Sequence, residues 1–161
     1  MRSDPATNAR TRGLLAFRVG GFAFGARVED VAGLLEARPS PIPRQRAPLA
    51  GVLAFRGAMV PAFDLIEFLE LDPPASSARY AMVLTRGADS FGVLVPTMPR
   101  LIYAKELREA DLSVADPELG ALIETVYESG GESIHCLNYW SVIDSILPDA
   151  ASEARAGVGR H

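Results

Sequence analysis

The chain has 161 residues, a formal net charge of −4 and 48% hydrophobic residues. This length and apolar content suit a globular protein with one core or two small lobes, and the acidic balance argues against a nucleic-acid partner, which selects a basic face. The single cysteine excludes an intrachain disulfide. The polar start lacks a signal-peptide core and the apolar runs are too short to span a bilayer, so the sequence predicts a cytoplasmic protein without direct membrane insertion.

The first ordered segment begins with a hairpin pattern. Residues 1–12 lack periodicity and are predicted to be a disordered lead. The runs LLAFRV (14–19) and FAFGAR (22–27) flank Gly20-Gly21, which predicts a β-hairpin because glycine supplies the positive φ of a tight turn. Residues 28–36 place apolar side chains at helical spacing and predict a short helix.

A second hairpin follows a proline-rich connector. The prolines of 38–48 disfavour a central strand there. GVLAFR (51–56), a turn at Gly57-Ala58 and MVPAF (59–63) predict strand, turn and strand. Asp64 is then the expected N-cap of a short helix.

The second half repeats these patterns. The turn-rich segment 72–78 is the predicted lobe boundary. After it come strand patterns at 79–86, 91–95 and near 100–104, and a helical turn or loop is expected at 105–112. A last hairpin pattern covers 121–138 and an amphipathic helix covers 139–147; residues 148–161 are predicted to be a disordered tail.

Many short strands at regular spacing with few helices predict a mainly β sandwich or barrel. The order of hairpin then helix occurs at 51–71 and, more loosely, at 121–147. Two similar lobes would explain this repeat, and so would chance. We therefore predict one domain over 13–147, with lobes at about 13–71 and 79–147, and leave open an exchange of chain ends between them.

The sequence contains few candidate catalytic or metal-binding residues. His135 and Cys136 are adjacent, so in a strand they point to opposite faces and cannot act as a pair. They also fall short of the four ligands of a zinc site, and Lys105, the only lysine, is not part of a phosphate-binding loop. We predict no enzymatic activity, no metal and no cofactor.

Arg56 ends a strongly apolar strand immediately before a turn. A solvated arginine is common at such a place, and residue physics alone favours that interpretation. The alternative is a protein contact, because arginine combines a planar donor fork with an apolar stem and is enriched at interface hot spots.

The segment GVLAFRGAMVPAFDL (51–65) resembles the core motif of the CheW family, roughly G-x-x-N-x-R-G-x-x-x-P-x-x-D-L. The matching residues are Gly51, Arg56, Gly57, Pro61, Asp64 and Leu65. The opening hairpin, the proline-containing run, FGVLVPTM (91–98) and the closing strand and helix are also similar to the family, so the resemblance spans roughly 14–147.

The resemblance implies a CheW-like fold of two five-stranded β-barrel lobes around a shared hydrophobic core, with short helices. It also implies a non-catalytic chemosensory scaffold that binds the regulatory domain of a CheA-type histidine kinase and the cytoplasmic tip of a methyl-accepting chemoreceptor. In the family, the positions of Val31, Gly51 and Arg56 lie in the receptor- or kinase-contact region. We expect an exposed apolar patch between the lobes near Val31, Arg56 and Met98, with Gly57 beside it.

The sequence departs from the family pattern at several positions. Ala54 stands where the family has asparagine, Pro96 replaces a frequent aspartate, Pro99 lies close by, and Ile66 occupies an often basic position. These changes leave open a one-sided adaptor that binds a receptor or regulator but not the kinase. A second alternative, from another class, is a small β-barrel ligand-binding or enzymatic domain with an enclosed polar pocket near His135 or the carboxylates.

Overall fold

The structure is a computed structural model, and it describes residues 11–19, 21–37, 49–70, 79–112 and 117–145. The predicted lead and tail, the proline-rich connector and the predicted lobe boundary lie largely or wholly outside these ranges. The strands are β1 (Gly13–Val19), β2 (Phe22–Arg27), β3 (Val31–Glu36), β4 (Leu49–Phe55), β5 (Ala58–Asp64), β6 (Tyr80–Arg86), β7 (Asp89–Val95), β8 (Arg100–Tyr103), β9 (Arg108–Ala110), β10 (Ile123–Ser129) and β11 (Glu132–Leu137).

Short helical segments separate some of these strands. Single 3₁₀ turns cover Val28–Asp30 and Ala104–Glu106, and the α-helices are α1 (Leu65–Phe68), α2 (Pro117–Leu122) and α3 (139–145). The mainly β class predicted from the sequence is therefore confirmed. No helix within the described ranges is both long enough and apolar enough to cross a membrane.

The strands form two sheets. Sheet A has the order β8-β1-β2-β11-β10-β9, and sheet B has the order β3-β6-β7-β5-β4. Each sheet contains one parallel pair, β2 with β11 in sheet A and β5 with β7 in sheet B, while the other pairs are antiparallel. The two β lobes implied by the resemblance are present, although sheet A has six strands because β8 and β9 extend both of its edges.

The sheets do not divide the chain at the predicted boundary near 72–78. β6 and β7 follow that segment but join β3, β4 and β5, while β1 pairs with β8 and β2 pairs with β11, which both come from the second half of the chain. Sheet A therefore combines strands from before and after residues 72–78. The physical reason is the parallel pairing of β2 with β11, a contact between segments more than 100 residues apart that no local pattern encodes.

The predicted helix at 28–36 is wrong, because only Val28–Asp30 forms a 3₁₀ turn and the rest is strand β3. The pairing of β3 with β6 shifts register between Val31 and Gly33, so Ala32 is a bulge residue. A bulge breaks the two-residue alternation of a strand. As a result, the apolar positions of this segment have a spacing that imitates a helix.

Sheet A curves back on itself. In this sheet, only residues 104–107 separate edge strand β8 from edge strand β9. Five residue steps span at most roughly 17 Å, whereas the edges of a flat six-stranded sheet lie about 24 Å apart. Sheet A must therefore curl to bring its two edges within reach of this connection.

The hydrophobic core has three parts. The largest cluster contains residues of both sheets and of α3, and it includes Phe24, Met82, Phe91, Leu137 and Val142. A second cluster lies within sheet A and a third within sheet B. The shared core of the predicted fold is thus the contact between the sheets, and each lobe also has a small interior of its own.

Candidate functional site

Arg56 lies in the two-residue turn between β4 and β5. Phe55 pairs with Ala58, and the two turn residues both have positive φ, 50° at Arg56 and 79° at Gly57. This is the pattern of a type I′ turn, which matches the twist of the flanking strands. Glycine adopts it freely, whereas a left-handed conformation costs a residue such as Arg56 roughly 1 kcal/mol.

The Arg56 side chain is exposed but engaged within the chain. Its Nη2 donates a hydrogen bond to the carbonyl oxygen of Ala32 at 2.9 Å. Its guanidinium carbon lies 4.8 Å from the centre of the Phe55 ring, a cation–π distance. Neither the strand-end interpretation nor the family motif indicated these intramolecular contacts.

Phe55 in turn lies against Gly33 on β3. A Cβ added to Gly33 would sit 2.6 Å from a carbon of the Phe55 ring, so only glycine leaves room for this ring. Because β3 and β4 are the two edges of sheet B, Phe55 and Arg56 join one edge to the other. Val31 is half-buried beside this junction and packs against the shared core.

Gly51 and Gly57 have separate roles in the hairpin. Gly57 is exposed in the turn. Gly51 is buried at the opposite end of β4, where the pairing with β5 shifts register after Leu49, and its φ of 144° suits glycine. The structure therefore brings Arg56, Gly57 and the region of Val31 together, and it places Gly51 further along the strand.

The outward side of the β4–β5 hairpin is apolar. Ala54 pairs with Met59 and Val52 pairs with Pro61, and cross-strand partners point to the same face. Met59 is 62% exposed, the largest value among the exposed large hydrophobic side chains. We call Val52, Ala54, Met59 and Pro61 the hairpin surface; no charged residue occurs in β4, which is an edge strand of the sheet that the described residues form.

Met98 belongs to a different region. It lies on the connection that leaves β7 of sheet B and enters β8 of sheet A, and it is 49% exposed. Leu101 and Tyr103 follow on β8, two residues apart and therefore on one face, with exposures of 45% and 56%. We call Met98, Leu101 and Tyr103 the β8 surface.

Charged side chains border the β8 surface. Arg100 precedes Leu101 and forms an ion pair with Glu132 at 3.8 Å, and Arg18 also contacts Glu132. Met98 thus adjoins apolar residues of β8 that have charged neighbours, and the single patch expected near Val31, Arg56 and Met98 stays a prediction. The sequence patterns did not single out Met59, Leu101 and Tyr103. The available signal was the exposed apolar residues of β5, which pairs with edge strand β4, and of edge strand β8.

Departures from the family motif have different structural settings. Ala54 is exposed on the hairpin surface, while Ile66 is buried in the shared core, where a basic side chain would be costly. Pro96 and Pro99 are buried in the connection between β7 and β8. Of these changes, Ala54 is the one that alters an exposed surface.

His135 and Cys136 lie on β11 and do not act together. Nδ1 of His135 is 3.0 Å from the carbonyl oxygen of Ala23, and its ring lies near Phe22 and Phe24. Cys136 belongs to the interior of sheet A, and burial raises the pKa of its thiol to about 12. Such a thiol stays protonated and unreactive at neutral pH. In the part of the chain that the structure describes, His, Cys, Asp and Glu do not gather into a group of three that could hold a metal.

These features define a class of protein: a two-lobed β protein that presents exposed apolar side chains on surfaces of both sheets. Comparisons with known proteins agree with this class. The family described as CheW-like domain matches residues 13–146. The chain therefore belongs to the CheW-like domain family, a family of chemotaxis adaptors and scaffolds.

Among solved structures, the chain is similar to the crystal structure of the scaffolding protein TtCheW from Thermoanaerobacter tengcongensis. The TM-score is 0.66 at 14% sequence identity, and the match covers 80% of this chain and 84% of that one. At this identity the similarity shows the fold alone. No curated protein matches the sequence at a significant level.

Proposed function

We propose that the protein is a non-catalytic scaffold that couples the cytoplasmic tip of a methyl-accepting chemoreceptor to the regulatory domain of a CheA-type histidine kinase, in the cytoplasm where both partners meet. The observation that carries this proposal is the pair of exposed apolar surfaces on separate sheets. A coupling protein needs two surfaces because it holds two partners at once. Contiguous exposed apolar residues with polar neighbours are typical of protein interfaces.

We assign the hairpin surface to the kinase regulatory domain. Its side chains are small apart from Met59, so the face is flat and open to a broad contact. Edge strand β4 carries no charge, although uncharged exposed edges are a liability that proteins commonly protect. A partner domain that covers this edge would remove the liability.

We assign the β8 surface to the receptor tip. Leu101 and Tyr103 form a narrow strip on one strand, preceded by Met98. A helix in a coiled-coil receptor presents apolar side chains as a narrow ridge, which fits such a strip. Arg100 and Lys105 flank the strip and suit the acidic side chains that border a helical ridge.

A paired binding assay tests the proposal. Wild-type protein is titrated with a purified kinase regulatory domain and, separately, with a receptor cytoplasmic fragment, and the Kd values are compared with those of Met59→Glu and Tyr103→Glu. We expect Met59→Glu to weaken kinase binding about tenfold or more and to leave receptor binding unchanged, because it places a charge in one interface only. Tyr103→Glu should have the reverse effect.

Leu112→Glu is the matched control, since Leu112 is 51% exposed and belongs to neither surface. Wild-type binding to the receptor fragment alone would establish the one-sided adaptor instead. Binding to neither partner would refute the scaffold, and loss of both partners in a single surface variant would refute the division into two surfaces.

A further inference from the structure

The β4–β5 hairpin has an equivalent in sheet A. β5 runs parallel to β7, and β11, the second strand of the β10–β11 hairpin, runs parallel to β2. Asp64 follows Arg56 by eight residues and caps α1, while Asn138 follows Gly130 by eight residues and caps α3. The two hairpins therefore correspond residue by residue, and Arg56 occupies the position of Gly130.

The two equivalent positions share a left-handed backbone. The value of φ is 50° at Arg56 and 58° at Gly130. Glycine adopts this conformation without steric cost, whereas arginine is strained in it. Strained backbone of this kind persists where the surrounding structure holds it, and it clusters at functional sites.

The contacts of Arg56 show which parts of the sheet its side chain connects. The hydrogen bond to the Ala32 carbonyl reaches the bulge of β3, where Ala32 has no partner residue on β6. The guanidinium also lies over Phe55, whose ring fills the space above Gly33. The side chain thus binds the turn of one edge strand to the backbone of the other.

We propose that Arg56 is a positioning residue, a latch that holds the β4–β5 turn against β3 and supports partner binding by fixing the hairpin surface. Met59 is one residue from the turn and pairs with Ala54, so the latch fixes the end of the hairpin that carries the most exposed apolar side chain. The part of the inference that concerns binding rests on the proposed function of this surface. It reassigns Arg56 from a contact with the partner to a contact within the chain.

The test opens the latch in two independent ways. Arg56→Gly removes the side chain and leaves a residue that suits the positive φ of the turn. Gly33→Ala keeps Arg56 intact but displaces Phe55, because the new Cβ would lie 2.6 Å from its ring. Affinity for the kinase regulatory domain is measured for both single variants and for the double variant.

We expect each single variant to bind about fivefold more weakly, consistent with the loss of one hydrogen bond, and the double variant to be no weaker than the worse single variant. The effects of two mutations on affinity are non-additive in this way when both act through the same structural feature. Full kinase affinity in Gly33→Ala, or effects that multiply in the double variant, would overturn the latch and assign Arg56 to the partner contact. Gly120→Ala, where the added Cβ meets open space, is the control for glycine replacement.

Measurements on the isolated protein separate the latch from the proposed function. In Arg56→Gly, amide hydrogen exchange should accelerate in β3 but not in β10 and β11, and the ¹³C resonance of the Ala32 carbonyl should shift. Unchanged exchange and an unchanged resonance would refute the latch whatever the binding result. If the wild-type protein does not bind the kinase domain, the proposed function is refuted. The hydrogen-exchange and ¹³C measurements still test the latch in that case, because they need no partner.

The hydrogen-exchange experiment also has a control variant and a substitute for Arg56→Gly. Arg108→Ala removes an exposed arginine from sheet A and should leave β3 exchange unchanged. If Arg56→Gly melts below the assay temperature, Arg56→Asn replaces it, since asparagine tolerates positive φ and is too short to reach Ala32. The same shift and the same acceleration are expected, and their absence would be decisive against the latch.

Discussion

Trp140 meets Phe91 edge-on, with ring centroids 4.4 Å apart and ring planes at 88°. Phe91 belongs to β7 of sheet B, whereas Trp140 lies on α3, which follows β11 of sheet A. The guanidinium carbon of Arg86 lies 4.1 Å from the centre of the indole ring, and Arg86 forms an ion pair with Asp144 at 3.3 Å. The last described helix of the chain thus ties the two sheets together.

Replacement of Trp140 by alanine should destabilise the protein by about 2 kcal/mol, below the range for a fully buried aromatic residue because Trp140 is only half-buried. Urea unfolding followed by far-UV circular dichroism measures this loss, since the variant lacks the only tryptophan. Arg86→Ala removes an exposed cation–π contact and an exposed ion pair, so its effect should be below about 1 kcal/mol. An equal effect of the two variants would contradict the dominant role of the aromatic contact.

Tyr139 anchors α3 to sheet A through a hydrogen bond from its hydroxyl to the carbonyl oxygen of Gly25 at 3.0 Å. The bond is buried, and burial raises the pKa of Tyr139 well above its usual value. Tyr139→Phe should lower the free energy of unfolding by about 1 kcal/mol, because it removes a buried hydrogen bond.

The control for that change is Tyr127→Phe. The Tyr127 hydroxyl is also buried and has no hydrogen-bond partner among the described residues. We expect its removal to change stability by less than about 0.5 kcal/mol. The prediction fails if chemical denaturation gives the two Tyr→Phe variants the same loss.

Cys136 should make the protein less stable at high pH. Burial raises the pKa of the folded thiol to about 12 from an unfolded value of 9.0. The unfolded state therefore loses its thiol proton first as the pH rises from 9 towards 12, and stability that is fully present below pH 9 is lost across that window. At pH 10 the loss should be on the order of 1 kcal/mol.

Unfolding midpoints measured at pH 8, 9 and 10 test this, with Cys136→Ala as the comparison. Alanine has no thiol to ionise, so the variant should show a smaller decline between pH 9 and 10. A thiol reagent should also react slowly with the native protein and rapidly after unfolding. If stability declines equally in the wild-type protein and in Cys136→Ala, the pH effect comes from groups other than Cys136.

Asp64 connects the family motif to the fold. Its Oδ1 accepts hydrogen bonds from the backbone N–H groups of Ile66 at 2.9 Å and Glu67 at 3.2 Å, and its Oδ2 lies 3.7 Å from Arg79 Nε. Asp64→Ala should destabilise the protein by about 1 to 2 kcal/mol through loss of the cap. Asp64→Asn keeps a capping oxygen but loses the charge, so it should retain most of the stability in thermal unfolding; if it falls as far as alanine, the ion pair with Arg79 is the larger contribution.

Much of this fold could be predicted because its strands and turns are local features. Gly130-Gly131 and Gly57 marked turns through the positive φ that each requires, and Asp64 marked the start of a helix through its capping oxygen. The motif around Arg56 indicated the family, which the match over residues 13–146 confirms. The helix predicted at 28–36 failed because a bulge at Ala32 depends on the neighbouring strand β6.

The sequence by itself determined the β class, the hairpins, the cap at Asp64 and the family. Only the tertiary structure decided which hairpins share a sheet, because parallel pairs such as β2 with β11 join segments distant in the chain. It also decided that Arg56 contacts its own protein, since the Ala32 carbonyl and the space above Gly33 come within reach of Arg56 and Phe55 only when β3 and β4 approach each other. The partner of a side chain depends on which residues folding brings close to it, and a sequence pattern does not contain the distances between residues that are far apart in the chain.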